Sequence, residues 1–317
     1  DHRDLHSFPT RRSSDLALEQ YQKAISLDPN GVAYYTAAAS IYLQRNDLPK
    51  AGEFIQKAKL IDAASPLVHN FLGMMHISQN ETDLAEEQFL KAIESNKEFL
   101  EAHLNLANVY RNLGRFDDAI REYQEVLSLD EKNDQAYYGM GRTYFVMNEK
   151  EKAIAEYEKA LGLNKNNYEY FYYAGLAYFS LYESLKSGKR PVKEEIVPDD
   201  DAAAAAATEG VQAPAADNRP AGEDVPQSDA MLKKALEAFT HSSELSPKHP
   251  DSQHWIGRCY TEMNRFEDAN EHYERALTLD PDNPLFVYHL GYLLEKQDKP
   301  EDAIEQYDRA ISLKEDY

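Results

Sequence analysis

The sequence predicts an all-α solenoid, a stack of antiparallel helix pairs. Three observations point to it: an alanine that recurs every 34 residues, small and aromatic side chains at fixed phases beside it, and short Asn- or Asp-bearing joins at the same spacing. Ala17, Ala51, Ala85, Ala119 and Ala153 are each 34 apart, and Ala235, Ala269 and Ala303 resume the series after a break. A fixed period of this length marks an architecture in which each unit buries its apolar face only by stacking on its neighbours.

The alanine belongs to the second helix of each pair. Four residues after it comes a large side chain: Tyr21, Ile55, Phe89, Tyr123, Tyr157, Phe239, Tyr273, Tyr307. Three further on comes a small one: Ala24, Ala58, Ala92, Val126, Ala160, Ser242, Ala276, Ala310. The i, i+4, i+7 spacing puts all three on one helical face. The first helix carries its own small position at Ala39, Gly73, Ala107, Gly141, Gly175, Gly257 and Gly291. Glycine inside a helix costs about 1 kcal/mol relative to alanine, so its recurrence at one phase implies close helix approach. Asn46, Asn80, Gly114, Asn148, Asn264 and Asp298 sit where the first helix should stop, and Asn and Gly tolerate the left-handed conformation of a helix end. Pro49, Asp83, Asp117, Glu151, Glu267 and Glu301 then open the second helix, where proline and acidic residues are favoured. Such short turns force antiparallel packing.

This pattern of small, aromatic and alanine positions resembles the tetratricopeptide repeat over essentially all of 17–185 and 231–317. The resemblance implies about seven and a half repeats wound as a right-handed superhelix, with the first helices lining its concave surface.

Two segments fall outside the period. Residues 1–16, DHRDLHSFPTRRSSDL, have no helical spacing and resemble the translation of a sequencing adapter; they are expected to be an artefact that adds nothing to the fold, with the native N-terminus missing. Residues 186–230 hold five basic and ten acidic residues, six consecutive alanines and no aromatic residue. A segment so poor in apolar bulk is expected to be a disordered acidic insertion. It splits one repeat, and stretching a short turn to that length costs about 2.5 kcal/mol of loop closure, which flanking repeat interfaces can absorb.

A formal net charge of −22 repels phosphate backbones and anionic membranes, so a protein or peptide partner is expected, and no nucleic acid. No apolar run approaches the length of a membrane-spanning helix. The single Cys259 excludes an internal disulfide and any multi-cysteine metal site, and its phase puts it on the buried side of its helix. The chain lacks a phosphate-binding glycine loop, a nucleophile elbow and a zinc-protease motif. His69 and His76 share a helix face, but His76 fills a slot that is usually Tyr. No catalytic residue, cofactor or metal site is expected, and the Asn80–Glu81–Thr82 sequon is taken as chance.

In the family the resemblance points to, ligands bind the non-core positions of the first helices. The fifth, ninth and twelfth positions of successive repeats bring Leu104, Tyr138, Arg142, Phe145, Tyr172, Leu176 and Phe179 together in repeats three to five. The stacking pattern requires none of them, and tyrosine with arginine is the composition of binding hot spots. They form the expected partner-binding patch, with self-coverage by the chain as the competing reading. The paired lysines of a carboxylate clamp are absent, and so is an asparagine ladder apart from Asn105. The expected function is a non-catalytic interaction scaffold holding a peptide or partner helix in its groove. The alternatives are the substrate-recognition arm of a larger, truncated enzyme such as a transferase, and self-association through open terminal repeats.

Overall fold

A computed structural model of the chain describes residues 11–187 and 225–315, and within them every regular element is a helix. The second helices are α1 (Arg11–Leu27), α3 (Leu48–Ile61), α5 (Thr82–Ser95), α7 (Phe116–Leu129), α9 (Lys150–Leu163), α11 (Val225–Leu245), α13 (Phe266–Leu279) and α15 (Pro300–Glu315). They alternate with the first helices α2 (Val32–Gln44), α4 (Pro66–Ser78), α6 (Leu100–Asn112), α8 (Asp134–Val146), α10 (Tyr168–Ser187), α12 (Pro250–Glu262) and α14 (Pro284–Lys296). The all-α solenoid expected from the period is therefore the fold.

The repeat positions do what their phase dictates. Ala51, Ala85, Ala119, Ala153, Ala235 and Ala269 are fully buried, and so are the bulky Ile55, Phe89, Tyr123, Tyr157, Phe239 and Tyr273 four residues later. A Cβ added to Gly73 would lie 2.5 Å from the Phe89 ring, and one added to Gly175 would lie 2.7 Å from Phe239. The glycine is thus the hollow into which the aromatic side chain of the paired helix fits. All six expected stops adopt the left-handed conformation, from φ 56° at Asn46 to φ 73° at Gly114. That turn releases the first helix and starts the second within about three residues.

The chain folds as two compact units, one ending at Thr143 and the other beginning at Tyr144. In the first, Tyr35, Ala39, Ile55, Val68 and Phe71 form a core shared by α2, α3 and α4, and Leu18 of α1 packs with Ala38 and Ile41 of α2. In the second, Tyr273 and Leu293 pack with Ala269 across α13 and α14.

Both segments outside the period differ at their edges from expectation. Residues 1–10 lie outside the described residues, but α1 begins at Arg11. Ser14 is buried, and the Asp15 carboxylate meets the Arg45 guanidinium at 2.8 Å. No proline or glycine separates Arg11 from Leu27, so nothing stops the helix from running back into the foreign-looking segment. The disorder expected of the insertion falls on residues 188–224, outside the described residues. Its flanks are helical: α10 continues to Ser187, and α11 already starts at Val225. Pro226 sits in the first turn of α11, where a missing N–H is tolerated.

Candidate partner-binding surface

In the first unit the first helices leave an open surface. The fifth and ninth positions of α2 and α4, with their neighbours, line an open concavity of about 270 Å³. Ala33, Thr36, Ala37 and Ser40 come from α2, and Leu67, Asn70, Phe71 and Met74 from α4. The next helix is tied in by an amide pair, with Asn105 Nδ2 donating to Asn70 Oδ1 at 2.9 Å. Further along, Leu104, Tyr138 and Arg142 are half-buried, and the Arg142 guanidinium stands 5.9 Å from the Tyr138 ring centre. Asn108 is engaged from behind: its Oδ1 accepts the hydroxyl of Tyr123 at 2.8 Å, and Arg111 donates to the same hydroxyl at 3.3 Å.

Around α10, in the second unit, the equivalent positions are filled. Phe145 is half-buried, but Tyr172, Leu176 and Phe179 retain only 9%, 1% and 0% exposure. The expectation that these three are exposed does not hold, because α10 is enclosed by its neighbours. Tyr172 meets the rings of Phe239 and His249 at 6.0 and 4.9 Å, and Phe179 meets Trp255 at 5.2 Å. Arg258 of α12 lies 4.7 Å over both Phe179 and Trp255 and pairs with Glu183 at 3.0 Å. A helix apolar on nearly every side must be buried on nearly every side.

The extra turns of α10 are fastened on two sides. Tyr182 and Lys186 both donate to Glu262 of α12, at 2.8 and 2.5 Å. Lys150 of α9, itself buried, donates to Ser180 O at 3.0 Å and to Ser184 Oγ at 2.6 Å. Burial lowers the pKa of that ammonium. The start of α11 is held by Glu158, which accepts from Tyr178 and pairs with Lys234 at 3.3 Å. The repeat thus closes around its insertion through side chains that the stacking pattern does not specify.

Two histidine arrangements also went unread in the sequence. His254 is fully buried and its Nε2 lies 3.0 Å from Nδ1 of His289, while its own Nδ1 has no hydrogen-bond partner. Burial drives both below the ordinary histidine range, His289 to about 3. His103 is the opposite case: Nδ1 lies 2.6 Å from a Glu122 carboxylate oxygen and Nε2 3.0 Å from Lys97 O. With acceptors on both sides, both ring nitrogens donate, and the Glu122 bond raises the pKa. The clue was available: Asn70–Asn105 and His254–His289 are both 35 apart, one repeat plus one residue.

His69 and His76 turn to separate partners, Gln88 at 2.8 Å and Glu81 at 2.7 Å. Cys259 is fully buried, which pushes its thiol pKa up, and a buried thiol is inert. Among the described residues no helix is long and apolar enough to cross a membrane.

Comparison with known proteins places the repeats in a family. Over 103 residues the chain is 27% identical to the Hsp70-Hsp90 organising protein of Plasmodium falciparum (isolate 3D7), a match spanning 28% of this chain and 17% of that protein. The fold is similar to the crystal structure of the APC/C hetero-tetramer Cut9-Hcn1, with a TM-score of 0.66 and 13% identity over 95% of this chain and 50% of that one. It is similar also to YrrB, described as a TPR protein with an unusual peptide-binding site, with a TM-score of 0.50 and 23% identity over 73% of this chain and 95% of that one. Profiles described as TPR repeat match 107–148 and 257–298, and those described as tetratricopeptide repeat match 10–67, 68–99, 88–121, 134–167 and 286–317. With the buried alanines, the paired aromatics and the left-handed stops all in register, the chain belongs to the tetratricopeptide repeat family.

Proposed function

We propose that the chain is a non-catalytic scaffold that holds a peptide or partner helix of another protein against the first helices of its first unit. The observation that carries this reading is the contrast in accessibility at equivalent positions. Asn70, Met74, Leu104 and Tyr138 are half-buried, the first two lining the concavity, whereas Tyr172, Leu176 and Phe179 are already covered. Apolar side chains left on a concave surface mark interaction sites. The partial match to a protein named as an organiser of two others supports a scaffold role, although without paired lysines there is no clamp for a terminal carboxylate.

The surface would comprise Leu104, Tyr138 and Arg142. The test is a capture experiment from source lysate comparing the natural chain with the pair Leu104→Glu, Tyr138→Ala. Truncating a hot-spot residue costs about 2 kcal/mol or more, so the double variant should retain less than about a tenth of the bound protein. Leu163→Glu on α9, at a side chain already 42% exposed, serves as the control and should retain all of it. Equal capture by the natural chain and the groove variant would move the site elsewhere.

A further inference from the structure

The concavity between α2 and α4 has an unusual chemistry for this chain. Charged residues make up 28% of the sequence, yet neither helix contains a single Asp, Glu, Lys or Arg. Its hydroxyl protons are also engaged, which leaves few donors in the lining. Thr36 Oγ1 donates to Val32 O and Ala33 O at 3.3 and 3.1 Å, and Ser40 Oγ donates to Ala37 O at 2.9 Å. Asn70 accepts from Asn105 through Oδ1, and its Nδ2 faces the Met74 sulfur at 4.0 Å.

Such a surface discriminates between ligand backbones. An extended segment laid in it would lose water from its C=O groups and find almost no donors, at about 1–3 kcal/mol for each group left unpaired. A helix satisfies those groups internally and presents only side chains. Resting on the groove reading above, we propose that the α2–α4 concavity receives an amphipathic α-helix of a partner protein, apolar face inward, in the helix-in-groove mode. The outer face of that helix carries Lys or Arg, complementary to a chain of net charge −22. With no charge in the lining, the seat itself is insensitive to salt, and ionic strength acts on the approach.

Panning a library of 16-residue peptides against the intact chain tests this, with counter-selection on two variants. Met74→Glu puts an unpaired carboxylate into the concavity, and Ala37→Leu fills it without charge. Neither touches the stacking positions Ala39 and Gly73, and circular dichroism confirms that each variant is folded. Selected peptides should carry apolar residues at i, i+3 or i+4, and i+7, and should bind the natural chain at least tenfold more tightly than either variant. A proline placed at their centre should weaken them at least tenfold. Enrichment of proline-tolerant peptides with apolar residues at every second position would overturn the helix while leaving the groove reading in place. A selection yielding no peptide that distinguishes the natural chain from the two variants would overturn both.

Discussion

α4 and α10 stand at the same phase of the repeat and end in opposite states. Three of the 13 residues of α4 are buried, against twelve of the 20 in α10. Both helices seat an aromatic ring against their glycine, Phe89 on Gly73 and Phe239 on Gly175, so stacking does not distinguish them. The difference lies in the groove-facing positions. α4 has Asn70 and Met74 there, and α10 has Tyr172 and Leu176, covered by Phe239, His249 and the neighbouring rings. The repeat code fixes how helices pack, and an independent set of side chains decides whether the surface they create stays open. In this chain α10 has spent that surface on its own stability.

The comparison breaks most readily at Phe179. Truncating a buried aromatic side chain costs about 3–5 kcal/mol, so Phe179→Ala should lower the melting temperature of the second unit sharply. Tyr138→Ala, at a half-buried site, should cost about 1 kcal/mol or less. Thermal melts followed by circular dichroism compare the two directly. Similar losses for both would mean that the surfaces of the two units are equally structural.

Acid should separate the units with opposite signs. His254, His289 and His249 are held below the ordinary range by burial, the last two to about 3 and about 4. The unfolded chain therefore takes up their protons first as pH falls below about 6.5, and stability present above that pH is lost on the way down. Each such histidine is worth on the order of 2 kcal/mol between pH 6.5 and pH 5. His103 has a raised pKa, so its contribution, about 1–2 kcal/mol for a charge-assisted bond, is present at pH 6 and lost as pH rises through the folded value. The single tryptophan, Trp255, lies in the second unit and reports that unit alone. Denaturant titrations followed by Trp255 fluorescence should show the second unit weakening from pH 7 to pH 5. Glu122→Gln should abolish the smaller, opposite trend in hydrogen-exchange protection of α6 and α7. A Trp255 transition that stays fixed over that range would contradict the neutral buried pair.

The stacking positions and helix stops were legible because each is a local rule repeated in phase. Ala119 is buried for the same reason as Ala51, and Asn80 turns left-handed for the same reason as Asn46. The state of the groove was not legible, because it depends on pairs far apart in the chain. Tyr182 reaches Glu262 across 80 residues and Arg258 reaches Glu183 across 75, contacts that exist only because α10 runs two turns beyond its counterparts. A fifth-position tyrosine such as Tyr138 or Tyr172 looks the same in sequence, whatever side chain the next first helix sets against it. The concavity in the first unit was passed over for a related reason: Ala33, Ala37 and Ser40 draw no attention as binding residues, and their smallness is what opens the space.

Hydrogen exchange of the intact chain with and without a saturating groove-selected peptide tests the central claim most directly. Slowed exchange confined to α2, α4, α6 and α8, with α10 and α12 unchanged, is the expected result. Protection appearing in 168–187 and 250–262 instead would show that the filled surface opens to take the ligand, and would contradict the assignment of binding to the first unit.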